Sequence, residues 1–109
     1  MRKIGVFILV LPLLVVLSAP LAFALPCPEL IEPAQDAIDQ AALAMAKLPK
    51  NKQGLVHTLI DDAKMQLASA KHNCEKPAAG DYDHARAHAK AGAATAYAKA
   101  AEGLAKKMR

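Results

Sequence analysis

Residues 56–74 read VHTLIDDAKMQLASAKHNC, and the spacing of the apolar side chains in this stretch decides the fold class. Small and apolar residues recur at alternating intervals of four and three, which is the period of one helix face. They are Val56, Ile60, Ala63, Leu67, Ala70 and Cys74. The pattern predicts a helix over about residues 51–72 with one buried face, and Asn51 is its predicted N-cap.

The same alternation occurs earlier in the chain, which predicts a first helix over about residues 32–48. Its apolar line consists of Ala34, Ile38, Ala41, Met45 and Leu48. Pro33 suits the first turn of a helix, and Pro49 ends the segment because proline cannot continue one.

An alanine-rich segment follows Gly80 and predicts a third helix over about residues 81–107, with Asp81 as its N-cap. The best apolar line on this helix is Ala93, Tyr97, Ala100 and Leu104. The links between segments are short and contain proline and glycine, so we expect consecutive helices to be antiparallel. The predicted fold is therefore all-α, a small antiparallel three-helix bundle made of a helical hairpin and an Ala-rich third helix.

The two cysteines of the chain are predicted to form one disulfide that staples the bundle. Cys27 precedes the first helix and Cys74 follows the second, and antiparallel packing brings these ends together. The loop they close has about 48 residues, for which chain entropy gives about 4 kcal/mol of stabilisation. The alternative is a thiolate metal site or a redox pair, which is less favoured because the chain has no C-x-x-C motif.

The first 24 residues have the pattern of a cleaved secretory signal peptide. A basic start and an apolar run precede AFA at residues 22–24, the A-x-A form of a cleavage site. We therefore divide the chain into a signal peptide at residues 1–24 and one helical domain at residues 25–109, periplasmic or secreted. The alternative is an uncleaved segment that anchors the protein in a membrane.

Composition argues against two functional classes. Cleavage removes Arg2 and Lys3 from the 14 basic residues and leaves all 10 acidic ones, so the net charge falls from +4 to +2. Such a small charge on an exported protein argues against a nucleic-acid partner. The chain has no serine–histidine, cysteine–histidine or glycine-rich phosphate motif, so we predict that it is not an enzyme.

The stretch GDYDHARAHAKAG at residues 80–92 contains two histidines four residues apart, His84 and His88. Side chains at this spacing share a helix face with Cβ atoms about 5–6 Å apart, so two imidazoles can share one metal ion. At 100° per residue, His88 lies on the side of the helix opposite Tyr97. We therefore predict that both histidines face solvent and are available as metal ligands.

Two further residues are predicted to assist this pair. Asp81 precedes His84 by three positions and can supply a carboxylate oxygen from the same stripe. His72 ends the second helix, and the short link places it at the same end of the bundle. His57 lies near the start of the second helix and is expected to be a surface residue. The alternative interpretation is that residues 80–92 form only the polar start of an alanine-rich helix.

Four acidic residues lie on one side of the first helix, at spacings of three, four and three. They are Glu29, Glu32, Asp36 and Asp39. This row is interpreted as a solvated acidic face rather than a cation-binding row, because the chain has no acidic loop of the calcium-binding type.

The stretches LASAKHNC at residues 67–74 and GDYDHARAHAKAGAATAYAKAAEGL at residues 80–104 resemble the repeats of the small metal-binding protein family. Members of that family are exported, Ala/Lys/His-rich helical bundles that bind divalent metals, copper among them. The resemblance implies metal ligation at His72, His84 and His88. The chain departs from the family in having only four histidines and in having two cysteines, so a high-capacity metal store is not implied.

The leading functional hypothesis is weak binding or buffering of a divalent transition metal, such as copper, nickel or zinc, through surface histidines. The alternative is a structural or partner-binding helical module without metal. Its interface, for a protein partner or for self-association, would be the third helix, which has eleven alanines between residues 85 and 105.

Overall fold

The structure, a computed structural model, describes residues 26–109 and contains three α-helices. Helix α1 spans Cys27–Ala46, α2 spans Gly54–Glu75 and α3 spans Asp81–Met108, and a short 3-10 helix, Lys50–Lys52, lies in the first link. Each helix packs against the other two, and the contact between α2 and α3 is the most extensive. The all-α, three-helix prediction is confirmed, whereas the predicted signal peptide lies outside the described residues.

Helix α1 begins five residues before its predicted start at residue 32. Pro28 occupies the first turn, where a missing backbone N–H costs no hydrogen bond. Pro33 therefore lies inside the helix instead of at its beginning. The additional turn brings Ile31 into the core and carries Cys27 to the end of the bundle.

Helix α2 begins three residues later than predicted, and the prediction of Asn51 as its N-cap is wrong. Asn51 lies in the 3-10 helix, and Gln53 occupies the N-cap position. The Nε2 atom of Gln53 donates hydrogen bonds to the carbonyl oxygens of Met45 and Leu48, at 3.2 and 2.9 Å. The Met45 carbonyl also accepts a hydrogen bond from the backbone N–H of Leu48, and Leu48 lies just beyond α1, so Gln53 adds a bond at the end of α1 and one in the link, and ties α1 to α2.

The buried faces of α1 and α2 follow the predicted lines closely. All six residues of the predicted line on α2 are buried. On α1, the buried residues are Ile31, Ala34, Ile38, Ala41 and Ala44, and Leu48 is buried just beyond the helix. Met45, which was predicted to be in the core, is only partly buried against it.

The buried face of α3 is displaced from the predicted one by one position along the sequence. The structure buries Ala94, Ala98, Ala101 and Ala105, each one position after a residue of the predicted line, together with Ala87 and Ala91. One residue corresponds to about 100° around a helix, so the whole face is turned by about that angle. Tyr97 remains 38% exposed. The prediction gave weight to the large side chains, whereas the bundle buries the small ones.

Alanine is the only residue type that α3 buries in the hydrophobic core, and Leu104 and Met108 pack against that core while partly exposed. Such a face lets the helix lie close to both of its neighbours, because no larger side chain separates the backbones. The larger core side chains, among them Ile38, Ile60 and Leu67, come from α1 and α2. Each alanine removes little apolar surface from water, so this core depends on close packing and gains from a covalent constraint.

The predicted disulfide between Cys27 and Cys74 is confirmed. The S–S distance is 1.98 Å, the Cα atoms are 5.7 Å apart, and the two residues are separated by 47 positions in the sequence. The bond joins the start of α1 to the last turn of α2, which are adjacent because these helices are antiparallel.

Removal of this bond should strongly destabilise the bundle. For the Cys27→Ser/Cys74→Ser variant we expect a loss of about 4 kcal/mol in the free energy of unfolding, and a melting temperature lower by more than about 15 °C. Thermal denaturation followed by circular dichroism measures this effect. Reduction of the wild-type protein should give the same shift, and an unchanged melting temperature in both experiments would contradict the assigned role.

The position of the buried face of α3 can be tested with two identical substitutions. Ala98→Leu adds a large side chain where the residue is 0% exposed, and should destabilise the protein by about 1–3 kcal/mol. Ala96→Leu makes the same change at an exposed position and should alter stability by less than about 0.5 kcal/mol. Urea denaturation distinguishes the two, and equal effects would contradict the assigned face.

Candidate functional site

The start of α3 is organised by Gly80 and Asp83, and not by Asp81 as predicted. Gly80 is the N-cap residue and has a φ of 59°, a conformation that favours glycine. The Oδ2 atom of Asp83 accepts a hydrogen bond from the backbone N–H of Ala79 at 2.8 Å. Asp83 is only 6% exposed, so its carboxylate fixes the link between α2 and α3. An acidic residue three positions after the N-cap is the sequence signal for such a contact.

His84 and His88 are both partly buried, and His88 borders residues of α1. His84 precedes His88 by one helical turn and therefore lies on the same side of α3. The two histidines were predicted to face solvent fully, and the structure leaves both only partly exposed, because the buried face of α3 is displaced by one residue from the predicted one. Ala91, the next residue on their stripe, is buried. The imidazole of His88 therefore borders the contact between α1 and α3, and His84 lies one turn before it on the same stripe.

His88 borders a shallow depression between α1 and α3, which we call the α1–α3 depression. Its volume is about 220 Å³, and it is lined by Glu29, Leu30, Pro33, His88, Ala91, Gly92 and Thr95. Glu29 supplies the carboxylate among these residues. Sequence reasoning did not pair Glu29 with His88, because their proximity depends on how α1 and α3 are rotated. The whole predicted acidic row is exposed, in agreement with a solvated face.

The four predicted metal ligands are divided between different surfaces. His72 lines a groove on the opposite flank of α3, away from His88. Asp81 is exposed in the first turn of α3. Within residues 26–109, no group of three or more His, Cys, Asp and Glu side chains is placed to hold a metal ion. Of the four predicted ligands, only His84 and His88 stay together, one turn apart on α3.

His57 lies at the start of α2, far along the helix from the disulfide. Its Nδ1 atom is 3.2 Å from the Oδ2 atom of Asp61, and both side chains are more than half exposed. The prediction that His57 is a surface residue is confirmed.

The second concave surface, here called the α2–α3 groove, lies between the end of α2 and the start of α3. Its volume is about 500 Å³, and it is lined by Ser69, His72, Asn73, Lys76, Ala78, Ala79, Tyr82, Asp83, Arg86 and Lys90. The Nζ atom of Lys90 donates hydrogen bonds to Ser69 Oγ at 2.6 Å and to Asn73 Oδ1 at 2.7 Å. The guanidinium of Arg86 lies over the ring of Tyr82, 5.6 Å from its centroid. Sequence reasoning missed this groove.

The chain matches no protein-family model, no curated protein and no solved structure.

Among residues 26–109, no helix combines the length and the apolar character needed to cross a bilayer. The disulfide is compatible with an oxidising compartment, where such bonds persist.

The role of Asp83 can be separated from that of its neighbour Asp81. Asp83→Ala leaves the backbone N–H of Ala79 without its partner, and should cost about 1–2 kcal/mol. Asp81→Ala also removes one carboxylate from the first turn of α3, but Asp81 is exposed, so a smaller loss is expected. Chemical denaturation measures both, and faster hydrogen exchange of the Ala79 amide should accompany only the first. Equal losses would show that helix-dipole stabilisation explains both residues.

Proposed function

We propose that the protein is exported and weakly binds a divalent transition metal through His84 and His88. The observation that supports this proposal is that both imidazoles are partly buried and lie one helical turn apart on α3, with His88 at the contact between α1 and α3. Half-burial restricts the rotamers of the two side chains, so less conformational entropy is lost when they bind a metal.

The donor set determines the class of metal. Neutral imidazole suits copper, nickel and zinc, whereas magnesium and calcium prefer oxygen ligands. Two imidazoles leave the remaining coordination positions to water, for which the α1–α3 depression beside His88 has room. Glu29 lines the same depression and would accept hydrogen bonds from such waters or from a coordinated imidazole. A chelate with two protein ligands is weak, which fits buffering better than tight storage.

The alternative, a partner-binding module, has less support. Its interface would be the alanine-rich face of the third helix, and six of the eleven alanines between residues 85 and 105 are buried within the bundle. Most of the small side chains that could contact a partner helix therefore pack α3 against α1 and α2 instead.

Two features support export. The disulfide between Cys27 and Cys74 belongs to an oxidising compartment. Residues 1–24 have the pattern of a signal peptide, although they lie outside the described residues.

Export predicts a defined mass for the protein purified from the periplasm or the medium. The chain should begin at Leu25, and its mass should be lower by two hydrogens than that of the dithiol form. Intact-mass spectrometry without reductant measures both properties. Retention of residues 1–24 on membrane-associated protein would instead support an uncleaved anchor.

The metal hypothesis predicts different results for substitutions of the four histidines. His84→Ala and His88→Ala should each weaken copper or nickel binding by at least about tenfold, since each removes one arm of a chelate. His57→Ala is the matched control and should leave binding unchanged. His72→Ala should also have little effect, because His72 lines the other groove. Calorimetric titration at near-neutral pH measures these affinities.

The same titration contains a second check. Imidazole must lose its proton to bind a metal, so the affinity should be lower at about pH 5 than at about pH 7.5. Equal binding by the wild type and the His84→Ala/His88→Ala double variant would contradict the proposal.

A further inference from the structure

The α2–α3 groove concentrates positive charge from both of its walls. From α3, Tyr82, Arg86 and Lys90 follow one another at intervals of four and form one row on the helix surface. On the facing wall, His72 in the last turn of α2 and Lys76 directly after the helix add two further basic side chains. Among the described residues that line the groove, three carry a permanent positive charge and one is a carboxylate. The groove is therefore cationic.

The single carboxylate of the groove, that of Asp83, already has partners within the protein. Its Oδ2 atom accepts the hydrogen bond from Ala79, and its Oδ1 atom is 3.8 Å from Nη1 of Arg86. That separation is longer than a hydrogen bond. Within residues 26–109, no group accepts a hydrogen bond from the Arg86 guanidinium, so its N–H donors remain available in the groove.

Lys90 is a half-buried ammonium that is held by neutral groups. Ser69 Oγ and Asn73 Oδ1 accept two of its three N–H bonds, and Asn73 is only 7% exposed. No carboxylate of the described part of the chain lies within ion-pair distance of Lys90. A charge that has lost part of its hydration without an opposite charge is costly, and a bound anion would offset that cost.

We propose that the α2–α3 groove binds a small oxyanion, the phosphate or carboxylate group of a small molecule, between Arg86 and Lys90. The planar guanidinium binds two oxygens of such a group, and the ammonium contributes a point charge from the α2 side. Tyr82 holds the guanidinium plane through a cation–π contact. Lys76 and His72 are exposed at the rim and add positive charge. Anion binding in the α2–α3 groove does not depend on metal binding at His84 and His88, because the two surfaces lie on opposite flanks of α3.

The test is an NMR titration of the isotopically labelled full-length mature protein with sodium phosphate and, separately, with sodium succinate. Sodium chloride at matched ionic strength controls for screening. Saturable shifts of the Ala79, Tyr82 and Lys90 amides are expected with at least one of the two probes and not with chloride. The probe that saturates shows whether the groove takes phosphate or carboxylate.

Three charge-removing substitutions localise the effect. Arg86→Gln and Lys90→Gln should each weaken binding of the saturating probe by about tenfold or more, as for the loss of a charge-assisted hydrogen bond. Lys99→Gln makes the same change in charge at an exposed position of α3 outside the groove, and should bind like the wild type. Arg86→Lys keeps the charge but loses the two-oxygen geometry, so an intermediate affinity is expected.

Arg86 is the decisive position, because its side chain is 46% exposed and the bundle does not depend on it for packing. Circular dichroism should show unchanged helicity in Arg86→Gln, whatever the outcome for Lys90→Gln. Shifts that do not saturate with either probe would overturn the proposal. Equal weakening by Arg86→Gln and Lys99→Gln would also overturn it, since binding would then reflect net charge alone.

Discussion

The close contact of the alanine face of α3 with both α1 and α2 is the constraint on which the rest of the structure depends. Alanine side chains bury little apolar surface, so they stabilise the bundle only if the helices lie near one another. The bond between Cys27 and Cys74 helps by holding the start of α1 against the end of α2. Gln53 and Asp83 hold the two links through hydrogen bonds to the backbone. A bundle with a small-residue core thus relies on the ends of its helices more than a leucine-rich bundle would.

The rotation of α3 also explains why the chemistry-bearing side chains lie on two surfaces. His84, Arg86, His88 and Lys90 alternate with alanines along the chain. Two positions correspond to about 200° around a helix, so alternate members of this series lie on opposite flanks of the buried alanines. His88 meets α1 beside Glu29, whereas Arg86 and Lys90 meet the end of α2. One short segment therefore gives two surfaces of different chemistry, one with imidazole nitrogen and the other with cationic side chains.

The sequence predicts α1 and α2 well because each has one face that is clearly more apolar than the others. On α2, the positions of Val56, Ile60 and Leu67 identify one helix face as the buried one. Helix α3 has alanines on every side, so periodicity alone permits several faces, and the size of Tyr97 and Leu104 favours the wrong one. This error also affects the candidate sites. When the buried face of α3 is displaced by one residue, His84 and His88 are predicted to face solvent instead of lying partly buried on the α1 side of the helix. The proximity of His88 to Glu29 and the separation of His72 from His88 depend on how the helices are rotated against one another, which the periodicity of one segment does not indicate.

The most direct test of this account is the solvent exposure of individual alanine methyl groups in α3. A soluble gadolinium chelate broadens the NMR signals of exposed methyls and spares those in the core. The account predicts that Ala94, Ala98 and Ala101 stay sharp while Ala96 and Ala100 broaden, as their burial in the structure requires. Protection of Ala93 and Ala100 together with broadening of Ala98 and Ala101 would contradict the assigned face and both candidate sites with it.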